Sequence, residues 1–316
     1  MKQNMVYGVF GIKVRNSMWN ASLEGEAKQD SYENIYSSSQ AFGYADKEQL
    51  ERDGHNVLYR KVVGEKGDLT LKEAFELKTN TNTKDNKKLT ANEMKAMLFK
   101  FEDVIRYGTT FTAYDGVLSF GICGAIQIGI GVNKYNATEH VVNDMMTCFK
   151  ADKKEVKGEE ATKSSLGNQV LLDKAHIVYD FIINPFEYKK YINIIKDFKG
   201  FTEEHYTNFK KTSLKCVSNL NSKSKKGCTN EFAMFVESKD EVRDNIDLNC
   251  LGEYIKVDID RENDTVIYDL SLVADLLNEV KDDLKSVEIY YDHRIMKLIG
   301  TIEGAKYFNI KTRKEL

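Results

Sequence analysis

Residues 5–40 limit the possible folds of this 316-residue chain more than any other part of the sequence. Apolar side chains recur at every second position within 5–14, and β-branched and aromatic residues are frequent there, which predicts a strand. The alternation stops at Arg15, where a long polar loop begins. Three serines at 37–39 then provide an N-cap for a helix over 40–51. The chain is therefore expected to open with a strand, a polar loop and a serine-capped helix.

The polar loop after this strand has the composition of an anion-binding site. It contains no acidic residue before Glu24 and carries Trp19, the only tryptophan of the chain. Its other polar members are Arg15, Asn16, Ser17, Asn20 and Ser22. A cation, amides and hydroxyls beside a helix start can hold an anion, and an adjacent indole can stack a base. The alternative is that Trp19 fills the core and the loop only connects two elements, and the residues leave both interpretations open.

The overall composition is that of a globular protein. Hydrophobic residues make up 41% of the chain and charged residues 30%, which argues against disorder. No apolar run is long enough to cross a bilayer and no signal-peptide core is present, so a cytoplasmic location is expected. The five cysteines lie far apart without a CxxC pair, which indicates reduced thiols and no zinc site. No metal or cofactor is expected.

Positive charge is concentrated in one segment although the formal net charge of the chain is −3. Residues 206–230 contain no acid and include the lysines Lys210, Lys211, Lys215, Lys223, Lys225 and Lys226. The last three lie in the loop NSKSKKG, directly before an apolar strand at 232–236. A run of charge is usually a solvated face, but here the local acids that would balance it are missing. This pattern favours contact with a polyanion.

A glycine-rich run, SFGICGAIQIGIGVN, ends at Asn133 and is followed by Lys134. It contains no GxGxxG pattern and no Walker lysine, so a nucleotide-phosphate cradle is not supported. Glycines that alternate with Ile, Ala and Val are typical of a strand whose backbone lies close to another strand or to a ligand. We therefore predict a strand here that ends in polar groups.

Further elements follow from periodicity and turn residues. A helix begins at the capping box of Thr90 and Glu93, keeps apolar residues at helical spacing to Ile105 and ends at Gly108. The other predicted strands are 57–63, 170–183, 254–259 and 287–291, and the other predicted helices are 71–77 and 270–284. The polar segment 78–88 is predicted to be a loop, and 150–169 to be a surface loop or a protruding hairpin.

No specific catalytic motif is present, but two weaker possibilities remain. His176 with Tyr179 and a lysine could cleave RNA by general acid–base chemistry, although a single histidine in a strand is more often structural. Asp30 in the first polar segment could hold a metal, but it has no second carboxylate near it in the sequence. By contrast, cations, amides and aromatics from the three polar segments are the groups that bind single-stranded RNA.

Five stretches, in this order along the chain, resemble a known family: YGVFGIKVRNSMWNA, SSSQAFGYA, GICGAIQIGIGVNKY, DKAHIVYDFIINPFEY and NSKSKKGCTNEFAMFV. Together they resemble the backbone subunit of type I CRISPR Cascade complexes, most closely the subtype I-B form, within the RAMP superfamily. The resemblance implies an α+β fold with an RRM-like (ferredoxin-like) palm, a helical fingers insertion and a thumb hairpin. The implied division is palm over 1–63, fingers over 64–114, palm and finger strands over 115–144, thumb over 145–169 and palm over 170–316.

The resemblance also implies a function. Several copies would polymerise head to tail along CRISPR RNA with other Cascade subunits, displace nucleotides at a regular interval and leave the guide bases free to pair with target DNA. The subunit would bind the RNA backbone without cleaving it. The implied RNA contacts are Arg15, Asn16, Trp19, Asn20, Ser37, Ser38, Ser39, Gln40, Gln127, Asn133, Lys134, Lys223, Lys225 and Lys226, with Met145 and Met146 as an apolar thumb wedge.

Two alternatives stay open beside this resemblance. The first is a type III-like backbone ribonuclease that cuts target RNA with a metal and a first-loop aspartate, for which Asp30 is the candidate. The second is an interaction protein whose lysines are only solvated, in which case single-stranded RNA would not bind even at low salt.

Overall fold

The computed structural model describes residues 1–65, 67–81, 89–112, 119–150, 164–240 and 246–316. In these ranges the chain has a mixed α+β fold, as the sequence predicts. No helix in the described ranges is both long and apolar enough to span a membrane. The loop predictions for 82–88 and 151–163 lie outside the described residues.

The strands and helices of the described ranges are numbered in chain order. The strands are β1 (Val6–Ser17), β2 (Tyr36–Ser37), β3 (Val63–Gly64), β4 (Gly67–Asp68), β5 (Gly108–Phe111), β6 (Phe120–Cys123), β7 (Ile126–Ile128), β8 (Gly131–Asn133), β9 (His140–Lys150), β10 (Ser164–Ile183), β11 (Cys228–Ser238), β12 (Lys256–Asp260), β13 (Thr265–Asp269), β14 (Leu284–Tyr291), β15 (Met296–Ile299) and β16 (Lys306–Asn309). The α-helices are α1 (Ser39–Arg52), α2 (Leu71–Thr79), α3 (Ala91–Leu98), α4 (Glu102–Tyr107), α5 (Lys189–Ile192), α6 (Glu203–Ser213) and α7 (Ser271–Glu279). Short 3₁₀ helices cover Pro185–Tyr188, Lys223–Lys225, Leu251–Tyr254 and Lys281–Asp283.

The main sheet is built around β1. Among the described strands its order is β16-β14-β11-β1-β10-β8-β2, with β7 and β9 also paired to β10. β1 runs antiparallel to β10, and Ser17 at its far end lies opposite Leu172. β1 is also antiparallel to β11, with a bulge between Gly11 and Ile12. Because neighbours hold both edges of β1, the residues at its C-terminal end are fixed in position.

Both faces of the main sheet are covered. On one face the Phe10 ring stacks on Phe42 of α1, with centroids 4.7 Å apart, and meets Phe209 of α6 edge-on at 5.9 Å. On the other face a smaller sheet, β12-β13-β15, and α7 contribute Tyr268 and Leu277 to a second apolar cluster. A strand that is buried on both faces has an almost continuous apolar sequence, as β1 does.

The predicted strand at 57–63 is wrong. The backbone N–H groups of Leu58 and Tyr59 each donate to a carboxylate oxygen of Asp103 at 2.9 Å. Asp103 is buried, which raises the pKa of its carboxyl, and these two donors partly offset that effect. A backbone that satisfies its donors on a buried side chain has no need of a strand partner, and only Val63 enters the two-residue strand β3.

The predicted helix from the Thr90 capping box is interrupted. The Thr90 hydroxyl accepts from the Glu93 N–H at 3.3 Å, and Glu93 accepts from the Thr90 N–H at 2.8 Å, so the capping box is confirmed. The helix then divides into α3 and α4, because the N–H of Glu102 donates to the Asn56 carbonyl at 2.9 Å and turns the chain. The stop at Gly108 is confirmed, since this residue has a φ of +74°.

Candidate nucleic-acid interface

Two predicted segments that are distant in the sequence meet at the end of β1. They are the predicted first loop (residues 15–20), of which 15–17 extend β1 in the structure, and the lysine loop (residues 222–227). The N–H of Arg15 donates to the Gly227 carbonyl at 3.0 Å, and the N–H of Met18 donates to the Ser224 carbonyl at 2.9 Å. The Ser17 hydroxyl accepts from the N–H of Gly227 at 2.8 Å. The lysine loop is therefore docked on the first loop through the backbone.

Gly227 makes this close approach possible. A Cβ atom at this position would lie 1.9 Å from the carbonyl oxygen of Arg15 and 2.4 Å from the hydroxyl of Ser17. No side chain fits there without displacing the backbone of β1. The glycine is therefore the residue that lets the two loops touch.

The three lysines of this loop have different environments. Lys223 and Lys226 are exposed, and neither forms an ion pair with another described residue. Lys225 is partly buried, and its ammonium donates to the carbonyl of Met18 at 2.8 Å and to the carbonyl of Trp19. Burial lowers the pKa of Lys225. Lys223 and Lys226 can reach a phosphate, whereas the ammonium of Lys225 is already engaged, which corrects the prediction for this residue.

Trp19 is in the core. Its side chain is 2% exposed, and its indole Nε1 donates to the hydroxyl of Tyr179 at 2.8 Å. The Tyr179 hydroxyl in turn donates to the Ser38 carbonyl at 3.3 Å. An indole enclosed in this way cannot stack a base, so the prediction of an aromatic platform is wrong and the alternative of a core residue is right. The loop adopts its shape around this buried ring.

The start of α1 is tied to the first loop by Asn20. Its side-chain oxygen accepts from the Ser38 N–H at 2.9 Å and from the Ser38 hydroxyl at 3.1 Å. Ser38 is the N-cap residue, and the first turn of α1 contains no acid. Ser37 is buried, whereas Ser39 is partly exposed and Gln40 is exposed. The first amides of a helix have no intrahelical acceptor and carry partial positive charge, so this end of α1 favours an anion.

Arg15 stands at the edge of this surface. Its side chain is 57% exposed and lies 3.5 Å from Asp264, which also accepts from the Lys174 ammonium at 2.7 Å. The hydrogen bond from Lys174 lowers the pKa of Asp264. One carboxylate is thus shared by two cations, which leaves net positive charge. The neighbouring Asn16 is exposed and has a φ of +45°. Lys174 and Asp264 were missed by sequence reasoning, because the β1–β10 pairing brings Lys174 to Arg15 and the turn between β12 and β13 brings Asp264.

The end of the glycine-rich segment also lies near the C-terminal end of β1. The N–H of Lys134 donates to the carbonyl of His176 at 2.8 Å. His176 lies two residues along β10 from Lys174, the residue that pairs with Arg15. By strand spacing, the Cα atoms of Arg15 and Lys134 are roughly 12 Å apart. The predicted close approach of a glycine is confirmed, since a Cβ atom on Gly131 would lie 2.5 Å from the Tyr179 ring.

The side chains at this strand end are nevertheless used within the fold. The Asn133 amide nitrogen donates to the Tyr135 carbonyl at 2.9 Å, and its oxygen accepts from the His176 N–H at 2.9 Å. The charge of Lys134 acts on Asp180, whose carboxyl pKa is raised by burial and partly lowered again by this lysine. Asn133 therefore braces a turn, and the structure corrects its predicted role as a phosphate donor.

Three other predicted contacts lie elsewhere or are not described. Gln127 pairs with Ile182, whereas Asn133 pairs with Ile177. Five residues of β10 separate these two positions, a distance of roughly 17 Å. Its amide donates to the Gly124 carbonyl at 3.0 Å, so the structure does not bring it to the interface. The backbones of Met145 and Met146 belong to β9, and their role as a wedge stays a prediction.

Neither catalytic possibility is supported by the geometry. Asp30 accepts from the N–H groups of Tyr32 and Asn34 and from the Asn34 amide, at 2.8, 2.9 and 3.0 Å. No group of three histidine, cysteine or acidic side chains that could hold a metal occurs in the described residues. His176 is buried and bonded to Glu231 at 2.6 Å, while Tyr179 packs in the cluster on the other face of the sheet. The possible His-Tyr-Lys set is therefore not formed, because His176 and Tyr179 are three positions apart and side chains of a strand alternate between its two faces.

An arginine and two exposed lysines at the end of a central strand, beside a loop that leads into a helix start, are typical of nucleic-acid-binding proteins. Residues 4–274 match the family of CRISPR-associated protein Cas7. The chain therefore belongs to the Cas7 family. This membership confirms the predicted function at the level of the family, a crRNA-binding backbone subunit of a Cascade complex.

Solved structures are similar at the level of the fold. One, titled "CRISPR RNA-guided surveillance complex", shares 13% identity with a TM-score of 0.50, over 91% of this chain and 88% of the other. Another, titled "CRISPR RNA-guided surveillance complex, pre-nicking", shares 13% identity with a TM-score of 0.49, over 94% and 96% of the two chains. No curated protein sequence matches the chain.

Proposed function

We propose that this chain polymerises head to tail along CRISPR RNA in the cytoplasm, as the non-catalytic backbone of a type I surveillance complex of the subtype I-B kind. In that role it holds the guide by its phosphates and presents the bases for pairing with target DNA. The observation that carries the proposal is the docking of the lysine loop on the end of β1, which brings Lys223 and Lys226 to the loop that leads into α1, with Arg15 at the same strand end.

The proposal keeps the division of the chain into palm, fingers and thumb. The helices α2, α3 and α4 fall within 64–114, which supports a helical fingers insertion there. β9 pairs antiparallel with the first part of β10, with Met145 opposite Gly167, which supports a hairpin for the thumb at 145–169. The main sheet around β1 is the candidate for the palm, formed by 1–63, 115–144 and 170–316.

The contact set is electrostatic and does not read sequence. Arg15, Lys223 and Lys226 supply full positive charges, and the first turn of α1 supplies partial positive charge. A protein that contacts only phosphates binds RNA of any base sequence with similar affinity, and its binding releases counterions from the strand. We therefore expect affinity for single-stranded RNA that falls steeply with salt and varies little with base composition.

Reversing the two exposed lysines tests the proposed function. The variant Lys223→Glu with Lys226→Glu is expected to bind single-stranded RNA about tenfold or more weakly at moderate salt, because two phosphate contacts are lost. The slope of log K against log salt is expected to become smaller by roughly 1.4, at about 0.7 per contact. Fluorescence anisotropy of a labelled RNA, measured over a series of salt concentrations, gives both quantities.

A matched control uses two exposed lysines far from the docked loops. Lys100 lies between α3 and α4, and Lys306 lies in β16 at the opposite edge of the main sheet from β2. The variant Lys100→Glu with Lys306→Glu has the same change in net charge and is expected to keep the wild-type salt slope. Equal losses in both variants would show that only net charge matters and would leave the lysines as a solvated face.

The proposed lack of cleavage is tested through Asp30. Its oxygens hold a turn by accepting three hydrogen bonds, and the bond from the Asn34 side chain lowers the pKa of this carboxyl. With magnesium, the wild-type chain and the Asp30→Ala variant are both expected to leave a guide-paired RNA intact on a denaturing gel. Cuts at a regular interval that disappear in Asp30→Ala would instead establish the type III-like ribonuclease.

A further inference from the structure

We propose that Lys225 is a positioning residue that holds the first loop in its RNA-binding shape, and that it does not itself contact phosphate. The inference rests on the proposed function of the surrounding surface. It separates the three lysines of one short loop into two that bind the guide and one that braces the site.

The contacts of Lys225 point inward. An ammonium group has three donor hydrogens, and Lys225 uses its donors on the carbonyls of Met18 and Trp19. Its Nζ atom also lies 5.6 Å from the centroid of the Trp19 ring, within the range of a cation–π contact. These partners belong to the segment that follows β1, so the side chain bridges the two docked loops.

The charge of Lys225 is compensated without a carboxylate. No ion pair joins it to an acid in the described part of the chain. Burial lowers the pKa of its ammonium. Burial also raises the pKa of the neighbouring Cys228 thiol to about 12, so this thiol carries no charge that could balance the ammonium. Carbonyl dipoles and the indole face therefore hold the cation, whereas Lys223 and Lys226 stay in solvent.

The bridge extends to the start of α1. The backbone of Trp19 accepts from Lys225, and the indole of Trp19 donates to Tyr179, which donates to the Ser38 carbonyl. Asn20, the next residue, accepts from the N–H of Ser38. A displacement of this backbone therefore moves the helix start and the first loop together. Lys225 acts on both through its bonds to the carbonyls of Met18 and Trp19.

The test compares Lys225→Met with Lys223→Met, since each removes one charge from the same loop. Lys225→Met is expected to weaken single-stranded RNA binding about tenfold, because a smaller fraction of the protein molecules has the first loop in the binding conformation. Its salt slope is expected to stay at the wild-type value. Lys223→Met is expected to reduce the slope by about 0.7, as loss of one phosphate contact requires.

Trp19 is the single tryptophan and reports on the loop directly. The emission of the RNA-free protein is expected to change in Lys225→Met and to stay as in wild type in Lys223→Met. Lys225→Arg, which keeps a cation and donors for the two carbonyls, is expected to restore both the emission and most of the affinity. Circular dichroism verifies that each variant is folded, and Lys225→Arg decides the question if Lys225→Met does not fold.

Two results would overturn the inference. One is a slope in Lys225→Met that falls by about 0.7 with unchanged Trp19 emission, which would make Lys225 an ordinary phosphate contact. The other is unchanged RNA affinity in Lys225→Met despite an altered Trp19 emission, which would show that Lys225 stabilises the loop but has no effect on RNA binding. Failure of the proposed function is recognised separately, because then Lys223→Met would also leave RNA binding unaltered.

Discussion

Replacing Arg106 with leucine is expected to lower the free energy of unfolding by about 3–5 kcal/mol, the usual effect of removing one partner from a buried ion pair. Arg106 donates to Asp46 at 2.7 Å and to Glu102 at 3.2 Å, and the side chains of Arg106 and Asp46 are fully buried. It also donates to the Thr212 hydroxyl at 2.8 Å. Without the guanidinium, two carboxylates are left inside the fold between α1, α4 and α6. Urea denaturation followed by circular dichroism measures the loss.

Arg52 provides the control for this prediction. It forms an ion pair with Glu48 one turn earlier in α1, at 3.1 Å, and its side chain is 41% exposed. A solvated pair of this kind contributes about 1 kcal/mol or less. Arg52→Leu is therefore expected to unfold near the wild-type urea midpoint. Similar midpoints for Arg106→Leu and Arg52→Leu would contradict the view that the buried cluster joins the three helices.

Trp19→Ala is expected to lower the free energy of unfolding by about 3–5 kcal/mol, the range measured for deletion of large buried aromatics. The indole is 2% exposed and is bonded to Tyr179, so its removal leaves a cavity beside a hydroxyl that has lost its donor. Trp19→Phe keeps most of the volume and is expected to lose less, mainly the hydrogen bond. Thermal and urea unfolding of both variants measure the difference.

Tyr32 is a suitable control for Trp19, because it is an aromatic residue of the following turn with 83% of its surface exposed. Tyr32→Ala is expected to change the free energy of unfolding by no more than about 0.5 kcal/mol. If Trp19→Ala proved as stable as Tyr32→Ala while losing RNA affinity, the indole would have to be on the surface. That result would support the interpretation of Trp19 as a platform on which a base stacks.

The local elements near β1 could be predicted from the sequence, because their signals are local. The β-branched and aromatic residues of 5–14 identified β1, and the serine run identified the start of α1 at Ser39. The failures come from contacts between distant residues. The strand expected at 57–63 gave way to hydrogen bonds with Asp103, more than 40 residues later. The strands β13, β15 and β16 were not predicted, since each is a short strand whose place depends on a partner.

The site illustrates the same limit. The absence of acids around Lys223 indicated a surface for a polyanion, and the polar composition after Arg15 indicated another. Composition cannot show which way a side chain points, so it did not distinguish Lys225 from Lys223 or reveal that Trp19 is enclosed. The meeting of the two loops depends on the bond between Arg15 and Gly227, which are 212 positions apart. Only the pairing of β1 with its neighbours determines that contact.

The absence of a side chain at Gly227 has a consequence for how this protein can vary. The loop is held by backbone atoms and by one partly buried ammonium group, so its anchorage does not depend on Lys223 and Lys226, which face the solvent. Positions 223 and 226 can therefore gain or lose charge, and so tighten or loosen the grip on a nucleic acid, without altering where the loop sits. Within these six consecutive residues, different side chains therefore determine the strength of nucleic-acid binding and the position of the loop.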